Sequence, residues 1–162
     1  MRTTSVTGKR QPGAFTLVEL LLAIIIIGVA AAVSIPLLRQ TADAVALEES
    51  CRRIYYLSGL LSDLAQRQER MYYLKIDLRR GEFSAAYKND QGALQPLQTS
   101  AARAYKLPDG VTVATEPKEM NGIYFYPDSS SDKAMVTFGN AAGRKIGLEF
   151  GGLNGSISIR GG

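Results

Sequence analysis

The sequence predicts an α+β fold: one long N-terminal helix packed on a C-terminal antiparallel β-sheet domain. Three observations predict it. No charged residue occurs from Leu20 to Leu38. Apolar residues then recur at three- and four-residue steps through Leu47, Cys51, Ile54, Leu57, Leu61 and Leu64. After Met71 the period changes to short runs divided by Gly, Asn, Asp and Pro. The first two patterns are helical, and the third belongs to strands and turns. The 162 residues suit one domain with an appendage. They divide into a basic leader at 1–14, an apolar helix at 15–38, an amphipathic helix at 39–70 and a β-rich domain at 71–162.

Composition narrows the function before any motif is read. A hydrophobic fraction of 46% excludes wholesale disorder. The chain has no histidine and one cysteine, Cys51, which removes most metal sites, histidine-based triads and any internal disulfide. The net charge of +4 comes largely from Arg2, Lys9 and Arg10, a stretch without an acid. The rest is nearly neutral, so the basic balance is a property of the tail.

Residues 15–38 as a helix extend roughly 36 Å at 1.5 Å per residue, enough to cross a hydrocarbon core of about 30 Å with some tilt. Bases before the run and none within it place the N-terminus in the cytoplasm. The globular part then lies on the outer side of the membrane. Glu19 interrupts the apolar run near its start. An unpaired carboxylate in lipid is costly, so an acid there is a functional candidate. Two plainer readings compete. Ala30-Ala31-Ala32 imitates a signal-peptidase site, although the apolar run is long for a secretory signal. Glu19 could also snorkel to the interface of a simple anchor.

The segment Gly13-Ala14-Phe15-Thr16-Leu17-Val18-Glu19-Leu20-Leu21 resembles the class III signal of type IV prepilins and type II secretion pseudopilins. The resemblance implies that prepilin peptidase removes the leader on the cytoplasmic side. It also implies N-methylation of the new first residue and retention of the helix in the membrane. Cutting between Ala14 and Phe15 makes Phe15 the methylated residue and Glu19 the fifth of the mature chain, the family's hallmark position. The family prefers Gly before the cut, so cutting between Gly13 and Ala14 is the alternative. Gly28 and Pro36 fall where relatives carry helix-loosening residues. Glu19 is implied to serve assembly by meeting the N-terminal amine of an adjacent subunit.

Pro36 lacks the N–H for an intrahelical bond, so a kink or loosening is expected there. The apolar stripe resumes over roughly residues 41–68, with Asp43, Glu48, Glu49, Arg52, Arg53, Asp63 and Arg67 on polar faces. Cys51 lies on the stripe as a buried inert thiol, with a disulfide to another subunit as the alternative. Residues 72–78 and 82–87 read as a hairpin around Arg79-Arg80-Gly81. Residues 93–106 read as a connector, and Leu107-Pro108-Asp109-Gly110 as a turn into a strand at 111–114. Four more strands follow at 122–126, 134–138, 145–150 and 156–160.

The C-terminal half also resembles a family. Ile123-Tyr124-Phe125-Tyr126-Pro127-Asp128, a serine loop, Gly143-Arg144 and a final Gly155-Ser156-Ile157-Ser158-Ile159 are similar to the GspH/FimT domain of minor pseudopilins and minor pilins. That resemblance implies a structural subunit of a type II secretion pseudopilus, involved in protein export across the outer membrane. Its partners would be prepilin peptidase, the inner membrane, other pseudopilins or pilins along the N-terminal helix, and the secretion machinery. The alternative is a minor pilin of a type IV pilus involved in DNA uptake.

No catalytic constellation stands out, and neither a cofactor nor a metal is expected. Asp128, Ser130 and Asp132 alternate as Ca²⁺ ligands do, but no bidentate Glu ends the loop, and a solvated turn accounts for them. Arg144, Lys145 and Arg160 are the cations available to nucleic acid, which needs several clustered together. Tyr72-Tyr73 and Tyr124 with Tyr126 form either a binding platform or alternate core positions.

Overall fold

The computed structural model describes residues 16–118, 120–151, 153 and 155–161, and at 33–40 the backbone alone. Two compact units result, one up to Leu38 and one from Arg39 onward. A helix, α1, is assigned from Leu17 to Gln68. It starts where Thr16 Oγ1 accepts the N–H of Glu19 at 3.2 Å, an N-cap that satisfies one of the four orphan donors of a helix start. The assignment runs unbroken through Gly28 and Pro36, where the sequence leads one to expect a looser helix. The end is a Schellman turn. Glu69 takes φ 52°, and the N–H of Arg70 reaches back to the carbonyl of Ala65 at 3.3 Å.

Nine strands follow among the described residues. They are β1 (Tyr72–Asp77), β2 (Glu82–Lys88), β3 (Leu94–Pro96), β4 (Tyr105–Lys106), β5 (Val111–Glu116), β6 (Gly122–Phe125), β7 (Lys133–Asn140), β8 (Lys145–Gly151) and β9 (Ile157–Gly161). A 3₁₀ turn at Ser100–Ala102 separates β3 from β4. All pairings among the described residues are antiparallel, and they form two sheets. One has the order β3-β2-β1-β6 with β4 also on β2, and the other β5-β7-β8-β9. The expected connector at 93–106 thus holds two short strands, both borrowing a place along β2.

Turn residues explain the hairpins. Asp77 Oδ1 accepts the N–H groups of Arg79 and Arg80, both at 3.0 Å, and Asn140 Oδ1 accepts that of Arg144 at 3.0 Å. The bond from Arg79 to Asp77 is an Asx turn, and in each hairpin a short side chain replaces a backbone acceptor. The core lies between α1 and the two sheets. Leu47, Ile54 and Leu61 from the helix are fully buried with Leu74, Phe83, Ile123, Val136, Phe138, Leu148 and Phe150. Phe83 meets Phe138 at 5.8 Å between ring centroids, and Phe125 meets Phe150 at 6.2 Å. Each pair joins one sheet to the other. Truncating one such ring to alanine would cost about 3–5 kcal/mol.

Candidate functional site

Of the residues that the sequence marks for processing, Gly13, Ala14 and Phe15 lie outside the described ones. Glu19 occupies the first turn of α1, and its backbone N–H is held by Thr16. Thr16-Leu17-Val18-Glu19 is also the Ser/Thr-x-x-Glu capping signature, which the sequence reading passed over although it was legible. An acid in the first turn sits at the positive end of the helix dipole. Its carboxylate is exposed, and so are the apolar side chains around it. Leu17 is 83% exposed, Val18 71%, and Leu20 through Val29 remain more than half exposed wherever the residue is large. A contiguous apolar surface of this kind is a contact surface. Among the described residues, no helix is long and apolar enough to cross a membrane. The described side chains of the apolar run stop at Ala32, and residues 33–38, the rest of the expected span, lie outside them. A Cβ on Gly28 would meet no atom within 4 Å, so that glycine leaves a gap on an open face.

In the second unit two of the three candidate nucleic-acid cations form ion pairs. Arg144 Nη2 donates to Glu48 Oε1 at 2.7 Å. Arg160 is held by Glu149, with its Nη2 at 2.6 Å from Oε2. Cys51 is buried at 2% exposure, and desolvation pushes its thiol up to about 11. A thiol so protected is neither a nucleophile nor ready for exchange.

The serine loop is a set of turns. Asp128 Oδ1 accepts the N–H of Ser130 at 3.0 Å and its hydroxyl at 2.6 Å. Those bonds hold the carboxyl below its ordinary range. Asp132 accepts the N–H of Tyr124 on Oδ2 at 2.9 Å and the hydroxyl of Tyr126 on Oδ1 at 3.0 Å. Both carboxylates are thus engaged in protein hydrogen bonds. Burial, and then the bond to Asp132, push the Tyr126 phenol up. The tyrosines divide between the two roles proposed for them. Tyr72 is buried, its hydroxyl donating to Gln68 Oε1 at 2.8 Å. Tyr73 stacks on Tyr124 at 4.5 Å, and Tyr124 lies 6.4 Å from Tyr126, a half-buried cluster on the other face of the sheet. Gly122 makes room for it, since a Cβ there would collide with the Tyr73 ring and the Leu74 carbonyl.

Residues 9–35 match the prokaryotic N-terminal methylation motif. No curated protein matches the chain in sequence. Among solved structures, the minor pseudopilin EpsH from the type 2 secretion system of Vibrio cholerae is similar at a TM-score of 0.64 and 12% identity, over 71% of this chain and 96% of that one. A crystal structure of EpsH gives 0.62 and 10%, over 72% and 94%. The type IV minor pilin FimU of Pseudomonas aeruginosa PAO1 gives 0.54 and 14%, over 75% and 90%. The chain therefore carries the N-terminal methylation motif and has the α+β fold of these minor pseudopilin and minor pilin structures.

Proposed function

We propose that this chain is a minor pseudopilin, a structural subunit of a type II secretion pseudopilus that takes part in protein export across the outer membrane. The observation that carries the reading is a conjunction. One chain joins the methylation motif at residues 9–35 to a domain that overlays nearly all of a minor pseudopilin. Prepilin peptidase would cut between Ala14 and Phe15, and Phe15 would become the methylated N-terminus. Residues 15–38 would hold the subunit in the inner membrane with the domain in the periplasm. Glu19 would then meet the amine of a neighbouring subunit, because two charges in an apolar bundle become tolerable by pairing. Gly28 and Pro36 would let the helix adjust as it leaves the bilayer for the filament. The role is structural rather than catalytic. The likeness to FimU supports a second reading, a minor pilin of a type IV pilus. With Arg144 and Arg160 already paired, DNA uptake draws nothing from those residues.

Intact-mass spectrometry of the membrane-extracted chain tests processing. The expected mass lacks residues 1–14 and carries one added methyl. An uncut chain, or a terminus at residues 31–33, would refute the reading. Deleting the gene should abolish export of secreted proteins while leaving surface pili intact. The opposite outcome assigns the chain to a pilus.

A further inference from the structure

On the solvent side of α1, Glu49, Arg52, Arg53, Tyr56 and Leu60 share one face at three- and four-residue steps. With Arg103, beyond the 3₁₀ turn, they line an open groove of about 440 Å³. Tyr56 is 66% exposed at its centre. None of the three arginines forms an ion pair among the described residues, unlike Arg144 and Arg160. Arg53 is nevertheless positioned. Its guanidinium lies 4.6 Å from the centroid of the Tyr105 ring. The Tyr105 hydroxyl is fixed in turn by Ser50 Oγ at 3.0 Å, and Ser50 is itself buried against the Ala46 carbonyl. Stacking on a ring leaves the N–H groups free for a carboxylate.

We propose that this groove docks an acidic segment of a neighbouring protein subunit, whose carboxylates pair with Arg52, Arg53 and Arg103 while an apolar side chain packs on Tyr56 and Leu60. Charge complementarity selects the partner, since three unpaired cations surround one acid. An exposed tyrosine ringed by arginines is the composition of an interface hot spot. Glu49 and the apolar floor disfavour a continuous phosphate backbone, so protein is chosen over nucleic acid. Anchoring Arg53 in advance lowers the ordering cost of binding.

The proposal deepens the subunit reading in one respect, taking the partner to be an adjacent subunit. The test uses the full chain in cells that contain its natural neighbours. A photo-crosslinking amino acid replaces Tyr56, and the adduct is mapped by mass spectrometry. The expected adduct is a protein segment with two or more Asp or Glu near the crosslink. Yield should fall at least about tenfold in Arg52→Glu/Arg53→Glu, and mutating the mapped acids to Lys should restore it. Arg103→Gln, a milder change, should lower yield severalfold with an unchanged thermal melt. Four outcomes overturn the proposal: an adduct with nucleic acid, one with lipid, one with a segment lacking acids, or no adduct from a folded chain. The intact mass of the same sample reports processing independently. A processed chain without an acidic adduct sinks the groove and leaves the subunit reading standing.

Discussion

Alkaline pH should destabilise the folded chain through Cys51, and burial sets the size of the effect. The thiol is 2% exposed on the apolar stripe of α1, and its surroundings raise it from 9.0 to about 11. Below the lower value both folded and unfolded states keep the proton, and the thiol imposes no pH dependence. As pH rises past it, the unfolded chain ionises first, so folding stability falls until the folded thiol ionises as well. A shift of this size corresponds to at most about 2.7 kcal/mol at 1.36 kcal/mol per pKa unit. The assay is a series of urea melts in detergent at stepped pH, comparing wild type with Cys51→Ala. At neutral pH the variant should lose about 1 kcal/mol to the small cavity. It should then lose less than wild type above pH 9. Tyr72, Tyr73 and Tyr126 are also raised by burial, but they act in both proteins and cancel in the difference. Alkylation gives an independent reading, with the native thiol reacting only at the rate of unfolding. Equal pH slopes for the two proteins would refute the reasoning. So would free-thiol reactivity in the folded state, or a disulfide-linked dimer on a non-reducing gel.

Gly155→Ala should cost at least about 2 kcal/mol in a denaturant melt, because φ is +57° and the new methyl meets the Ser129 carbonyl. Gly143→Ala, at φ +82° in open space, should cost only about 1–2 kcal/mol. Asp132→Asn should lower stability by about 1–2 kcal/mol, since one amide oxygen cannot serve both Tyr124 N–H and Tyr126 OH. Ultraviolet titration should then show Tyr126 ionising at lower pH, though still above an ordinary phenol, because burial is the larger cause. Glu19→Gln keeps the backbone N–H that Thr16 caps, so membrane amount and processing should match wild type while co-purification with neighbouring subunits drops. Equal recovery, normalised to processed chain, removes the charge-pair role.

What could be read beforehand followed the range over which each signal acts. The stripe from Leu47 to Leu61 repeats often enough to announce a helix, and every residue named on it in that interval is buried. The β1–β2 hairpin was legible because Asp77 and Gly81 act on their immediate neighbours. β3 and β4 carry too few residues to show a period, and they exist because β2 offers them partners. The split into two sheets was hidden for the same reason. Sequence order does not say that β6 returns to β1 while β7 pairs with β5. Charge shows the point most clearly. Arg144 and Arg53 look alike in the sequence, where Arg144 stands among the candidate cations for nucleic acid. Folding brings Glu48, 96 residues away, onto Arg144 and neutralises it. The same folding places Arg53 over Tyr105, which steadies the guanidinium without consuming its charge. A net charge therefore says little about binding in this chain. What decides is where the fold groups unpaired cations around an apolar surface, as it does with Arg52, Arg53 and Arg103 beside Tyr56.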